Sequence, residues 1–173
     1  MSNVVTTPIT RRWFACEPAD EAFLSSAPVR IEQAWLIDRP AAEVWADLVE
    51  EHPLGYVKAI AGVTWTSPRP FGVGTTRQVR TIGNSVVLDE EYFIWEEGRR
   101  KAFYAVRASA PGFKRFAEDY VVEPVTDTTC RYTWTVAIES TPLFRPGAAV
   151  NKLLFKAMFA DVRRHYAAHP VSG

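Results

Sequence analysis

The sequence predicts an α+β domain in which a curved antiparallel sheet wraps one long C-terminal helix around an apolar cavity. Three observations predict it. Strand-like segments broken by turn residues recur about every ten residues from Val63 to Glu139, with no helical pattern between them. One helical period then runs from Gly147 to about Ala168. Six Trp, six Tyr and ten Phe make up 13% of the chain, more bulk than a small core needs unless it is built around something planar. At 173 residues the chain fits one domain.

Residues 1–28 lack sustained periodicity and are expected to form an N-terminal extension lying against the domain, with a helical turn or two over Pro18–Leu24. The domain is expected over residues 29–173. Val29–Ile37 is rich in strand formers and partly alternates. Asp38 can cap the helix that follows, Pro40 suits its first turn, and Glu43 places negative charge at the positive end of the dipole. Val44, Trp45, Leu48 and Val49 recur at helical spacing. His52-Pro53 breaks this helix, and Leu54–Ile60 is expected to form a second short helix ended by Gly62.

Six strands are then expected at Val63–Thr66, Thr75–Ile82, Val86–Trp95, Lys101–Ala108, Lys114–Val125 and Cys130–Glu139. Joined by turns without intervening helices, they read as an antiparallel meander. With the first strand, the sheet has about seven strands. Pro142 and Pro146 close this region. At about 100° per residue, Val150, Leu154, Phe155, Met158, Val162 and Tyr166 share one broad side of the final helix, and Lys152, Lys156 and Arg163 the other. One sheet layer with one amphipathic helix is an α+β architecture.

Lys plus Arg and Asp plus Glu are both 20, so the net charge is zero. A nucleic-acid partner needs a basic field, and none is expected. Cys16 and Cys130 stand far apart with no His nearby in sequence, which suggests neither a disulfide framework nor a metal site. No run approaches the ~18 apolar residues of a membrane span. No signal-length apolar stretch follows Arg11-Arg12, so the cytoplasm is the expected location. No cofactor is expected.

Particular words fall in order along this frame: Pro40-Ala-Ala-Glu-Val-Trp45, Gly72-Val-Gly-Thr-Thr-Arg77, Glu91-Tyr-Phe-Ile-Trp95, Glu123-Pro-Val and Cys130-Arg-Tyr-Thr-Trp134. With the order of elements, they resemble the polyketide cyclase/dehydrase-like branch of the START and birch-pollen-allergen (SRPBCC) superfamily. The likeness runs from about Val29 to the end. It implies a helix-grip fold whose cavity holds lipids, aromatic polyketides or other apolar ligands. Some relatives are cyclases, aromatases or dehydratases, and many others only carry or sense ligands.

Alternation indicates which side chains see the cavity. In the last strand Tyr132 and Trp134 share the face turned inward, either as ligand lining or as core against the helix. In the strand before it, Phe116, Glu118, Tyr120 and Val122 share a face, which makes Glu118 an inward acid. Phe103, Leu154 and Met158 complete the expected lining. The fourth strand leaves two sets open, Glu91/Phe93/Trp95 and Glu90/Tyr92/Ile94; the resemblance favours the first. It also places an Arg at Arg77, whose guanidinium can hold an enolate, phenolate or carboxylate by paired hydrogen bonds. Asn151, Asp161 and His165 intrude on the apolar side of the helix. Asp161 and His165, four apart, are neighbours: either a proton-moving pair in a wet cavity or a helix end projecting into water.

The leading function is binding of a bulky hydrophobic or aromatic small molecule, polyketide- or lipid-like, in a cavity of the few hundred Å³ typical of ligand sites. The alternative is a cofactor-free aromatase/cyclase or dehydratase. There Arg77 would polarise a carbonyl or hold an enolate, and Glu91 or the Asp161–His165 pair would move protons. A protein-interaction module of the chaperone-activating kind is a third class. A homodimer stays open. A filled or an open interior distinguishes these readings.

Overall fold

Seven long strands form one curled antiparallel sheet, and two short ones extend it. The computed structural model describes residues 11–171, with the side chains of 145–151 and 170–171 outside the description; Val150 and Asn151 are among these. The elements in order are β1 (Phe14–Ala15), α1 (Glu21–Ser26), β2 (Val29–Ile37), α2 (Ala41–Val49), β3 (Ile60–Trp65), β4 (Thr76–Thr81), β5 (Val87–Glu96), β6 (Arg100–Ala108), β7 (Phe113–Pro124), β8 (Cys130–Ser140), α3 (Ala148–Tyr166) and β9 (His169–Val171). The sheet runs β3-β4-β5-β6-β7-β8-β2-β9, and β1 pairs with β6. Consecutive strands from β3 to β8 are neighbours; β2 arrives from outside this meander and pairs with β8 along its whole length.

The concave face carries the main core. Trp35, Tyr132, Trp134, Val136, Ile138, Phe116, Tyr120 and Val122 meet Phe155, Met158, Phe159, Val162 and Tyr166 of α3 there. Each such side chain contributes roughly 1.5–3 kcal/mol on full burial, which is what holds α3 in the grip. Lys152, Lys156 and Arg163 face solvent. The helix ends where Ala167 takes a positive φ of 49° and the Ala168 N–H bonds back to the Arg163 carbonyl. The chain then returns as β9 beside β2.

Three features depart from the sequence reading. The second short helix expected over Leu54–Ile60 does not form. Leu54 adopts φ 63°, a left-handed value that ends helical propagation, and turns follow until β3 begins at Ile60. The short helix of the N-terminal segment begins at Glu21, because the Asp20 side chain accepts from the Phe23 N–H at 2.9 Å and caps it there. Phe23, Leu24 and Ala19 of that segment pack on the convex face over Ala102, Ala117 and Ala137. Three alanines in adjacent strands leave the shallow bed that α1 occupies.

The third departure decides the site. The register between β5 and β6 shifts between Asp89 and Glu90, and again between Tyr92 and Ile94. A bulge breaks the two-residue alternation. Glu90 and Tyr92 are buried on the concave side, and Trp95, which parity alone would set opposite, packs on Tyr92 at 5.0 Å. Phe93 joins the convex cluster with Ile94 and Tyr104.

Candidate functional site

Between the sheet and α3 lies a cavity of about 220 Å³. Its walls are apolar: Leu54 and Ile60 from the β3 approach, Val79 and Leu88 from the sheet, and Leu154, Phe155 and Met158 from α3. Ile82 (66% exposed) and Leu154 (44% exposed) mark its mouth. Arg77, Glu90, Glu118, Tyr120 and Trp134 are buried and make its floor.

Arg77 and Glu90 are cross-strand partners in the β4–β5 hairpin, so the sheet itself sets them side by side on the concave face. Arg77 Nε donates to Glu90 Oε2 at 2.6 Å, and each side chain is 2% exposed. Burial works against the guanidinium's charge, but Glu90 holds it in place and its pKa is raised. Burial pushes the Glu90 carboxyl up against the pull of Arg77. The guanidinium also lies over Phe103 at 4.3 Å and near Tyr92 at 5.4 Å. Its Nη1 has no hydrogen-bond partner among the described residues.

Glu118 is the second acid. Its Oε2 accepts from the Tyr120 hydroxyl and from Trp134 Nε1 at 3.0 Å. Burial, reinforced by the charge of Glu90, pushes its pKa up to about 8, with Tyr120, Arg77 and Trp134 pulling the other way. The shift favours the protonated carboxyl near neutral pH, the form able to donate a hydrogen bond or a proton into the cavity.

Lys101 is buried behind this floor. Its Nζ donates to the Leu48 carbonyl at the end of α2. The rings of Trp65, Tyr92, Trp95 and Tyr120 stand 5.5–5.8 Å away. Burial, followed by the repulsion of Arg77, lowers its pKa well below the usual lysine range. The described residues hold no cluster of His, Cys, Asp and Glu able to grip a metal.

The sequence also matches a known family. The sequence model of the family described as polyketide cyclase/dehydrase and lipid transport covers residues 28–168. The chain belongs to this family. An uncharacterised protein of Mycobacterium tuberculosis is 39% identical over 114 residues, 64% of this chain and 67% of that protein; one of Mycobacterium bovis matches equally. Among solved structures, a START superfamily protein from Mycobacterium smegmatis superimposes with TM-score 0.60 at 12% identity, covering 80% of this chain and 97% of that one. The major latex-like protein 151 of Panax ginseng gives 0.58 at 16%, covering 79% and 96%. The di-domain ARO/CYC BexL of the BE-7585A biosynthetic pathway gives 0.56 at 17%, covering 78% and 46%. At such identities the likeness is one of fold: the helix grip of the START and birch-pollen-allergen superfamily. No described helix is long and apolar enough to cross a membrane.

In this member of the polyketide cyclase/dehydrase family, the expected site residues divide into two groups. Arg77, Glu118, Tyr120, Trp134, Leu154 and Met158 all line the cavity. Phe103 supports Arg77 from beneath, and Tyr132 stacks on Trp35 at 5.4 Å, so both lie a layer behind the lining. Trp95 is concave but packs with Trp45 and Phe71 beside a shallower surface recess. Phe93 faces away, on the convex side. Glu91 pairs in register with Tyr104, outside the cavity lining, and Glu90 takes the place expected of Glu91.

Asp161 and His165 are neighbours on the helix but do not pair with each other. Asp161 accepts from the Lys58 backbone N–H at 3.0 Å and from Arg164, tying α3 to the turns before β3. His165 lies flat on Tyr56 with ring centroids 3.9 Å apart. Neither lines the cavity.

Lys101 was missed and Glu90 stood in the less favoured of two open sets; both were legible in principle. Counting outward from the Gly83-Asn84 turn pairs Arg77 with Glu90. Lys101 shares parity with Phe103, two residues on in the same strand.

Proposed function

We propose that the protein binds a compact apolar molecule of one or two rings, with an oxygen at its buried end, in the cavity between the sheet and α3. The observation that carries this reading is a buried carboxyl, Glu118, whose pKa burial raises, on the floor of a cavity with largely apolar walls. An apolar guest gains by leaving water. A carbonyl, enol or phenol oxygen reaching the floor gains a donor that water cannot supply there. The volume of about 220 Å³ exceeds the ~150 Å³ of an apolar cavity that admits benzene, which suits a small ring system.

The same floor favours a second reading, cofactor-free proton transfer of the cyclisation or dehydration kind. An acid poised near neutral pH is placed to protonate a departing hydroxyl, which leaves as water as the α C–H bond breaks to make the C=C bond, and Glu118, now a carboxylate, takes up that α-proton. The Arg77 guanidinium beside it would hold the enolate oxygen of a β-keto chain. The family's description covers cyclase/dehydrase chemistry and lipid transport alike.

Native mass spectrometry of freshly purified protein, followed by titration with naphthalene and 1-naphthol, tests the binding reading. We expect a retained small molecule or a displaceable vacancy, with 1-naphthol binding more tightly than naphthalene and Glu118→Gln narrowing that preference. No binding of either compound would overturn the reading. Equal affinity for both would remove the floor from it.

A further inference from the structure

The cavity opens at one end of the sheet, and the exposed apolar side chains collect there. Eight large ones stand exposed among the described residues, and five of them frame the opening. They are Ile82 in the β4–β5 turn, Leu143 and Phe144 after β8, and Leu153 and Leu154 in the early turns of α3. Leu143 is 83% exposed and Leu153 71%. Ile82 and Leu154 line the mouth itself. Phe144 packs against Gly112 in the β6–β7 turn, and the next residue, Phe113, lines the cavity. The Thr141 N–H bonds to the Gly112 carbonyl at 2.9 Å, so these segments share one rim. The other three, Val73, Val106 and Val125, stand singly on other elements. A lone exposed aliphatic is ordinary; five around one opening mark a contact surface.

The charges divide the same way. Three stretches of sequence that meet at this rim, residues 52–88, 98–117 and 140–160, hold no Asp or Glu, so all 20 acids of a chain with zero net charge lie outside them. Lys58, Arg80, Lys152 and Lys156 are exposed on these stretches. The acids nearest the rim already face other cations: Asp89 pairs with Arg107, Glu139 with Lys114 and Arg115, and Asp161 with Arg164, while Glu17 lies 3.9 Å from Lys114. Acids gather instead at the far end of the strands. Glu96 and Glu97 stand in and beside the β5–β6 turn, Glu123 and Asp127 around the β7–β8 turn, and Glu50 and Glu51 follow α2.

We propose that the rim of the mouth docks on an anionic phospholipid surface. Ile82, Leu143, Leu153 and Leu154 enter the interface, and Lys58, Arg80, Lys152 and Lys156 meet the headgroup phosphates. Apolar side chains at the centre and basic ones around them are the pattern that holds a protein on such a surface without spanning it. The acidic far end then points away from the lipid, which fixes the orientation. Isolated aliphatic side chains on separate segments suit a fluid acyl layer, which moulds to them, better than a folded partner, which needs a matching socket for each. The docking does not depend on what the cavity holds. It does set the mouth against the bilayer, so that an apolar guest passes between Ile82 and Leu154 without crossing water.

Co-sedimentation of the full chain with vesicles reads the docking directly. Binding to mixed phosphatidylcholine–phosphatidylglycerol vesicles should exceed binding to phosphatidylcholine alone, and should weaken as salt screens the headgroups. Lys152→Gln together with Lys156→Gln should lower the partition coefficient about 25-fold, at about fivefold for each basic residue near an anionic surface. Leu143→Ser together with Leu153→Ser should lower it at least about tenfold, because each leucine forfeits apolar area that the interface would cover. All four positions are exposed, so the urea midpoint should hold in both variants. Arg99→Gln removes an exposed cation at the far end, where it pairs with Glu96, and should leave the partition unchanged.

Failure to bind the phosphatidylglycerol vesicles overturns the proposal. Binding that salt abolishes but the leucine substitutions do not touch also overturns it, and would make the basic rim a seat for an acidic protein. Equal weakening by Arg99→Gln would show attraction by bulk charge with no preferred face, and the docking surface would go with it.

Discussion

Glu118 makes stability fall as pH rises, the reverse of an ordinary paired carboxylate. In the unfolded chain its carboxyl titrates near the usual 4.5; in the folded protein burial carries it up to about 8. Below the unfolded value both states hold the proton and its folded-state stabilisation is fully present. Between the two values the unfolded chain releases the proton while the folded one keeps it, so stability is lost as pH rises. Each pH unit of that window is worth about 1.4 kcal/mol, and the whole window on the order of 5 kcal/mol, a large share of a typical 5–15 kcal/mol total. Glu118→Gln keeps the shape of the protonated acid and removes the titration. Urea denaturation of both proteins at about pH 5 and about pH 8 isolates the contribution from that of every other group. The variant should gain on the wild type by several kcal/mol between the two conditions. A difference that stays constant to within about 1 kcal/mol would show that Glu118 ionises freely in the folded state, and the donor on the cavity floor would go with it.

Three further outcomes follow from the packing. Arg77→Met leaves Glu90 buried without its partner and should cost ~3–5 kcal/mol in denaturant unfolding, while replacing both by apolar residues should recover most of that loss; a loss below about 1 kcal/mol would mean water reaches the pair. Trp134→Phe should remove most of the emission change on titration with 1-naphthol, because Trp134 lines the cavity floor; an undiminished change would place the guest elsewhere. Leu154→Trp should fill the mouth and abolish 1-naphthol binding while moving stability by no more than about 0.5 kcal/mol, as expected for an exposed position; unchanged binding would move the entrance away from α3.

The strands and the final helix were legible because their signals are local: period-two and period-3.6 patterns punctuated by Gly and Pro. The inward faces of β7 and β8 were legible for the same reason, and Glu118, Tyr120, Tyr132 and Trp134 all lie concave. The middle of β5 was not. Its two register shifts are set by pairing with β6, a long-range fact that alternation within one strand does not carry, so parity left two sets open, and the resemblance favoured Glu91 and Phe93 where the structure buries Glu90 and Tyr92. The polar residues on α3 misled for another reason. Asp161 satisfies a backbone N–H on a loop more than a hundred positions away in sequence, and nothing near it in the chain announces that partner. The turn at Leu54 was hidden because a left-handed leucine has no sequence signature.

The irregularities of β5 matter to assembly as well as to the finished site. A smooth strand can anneal to its neighbour in several offsets and creep between them. β5 carries two kinks spaced a few residues apart, so sliding along β6 by one or two places would set each kink against a stretch of partner with no slack to receive it. The hairpin therefore behaves like a key that seats at a single depth. Lengthening or shortening the chain by one residue between Glu90 and Ile94 should harm the protein far more than the same change in the Thr126–Thr128 turn, beside which the ladder runs unbroken from Pro124–Cys130 to Arg115–Glu139.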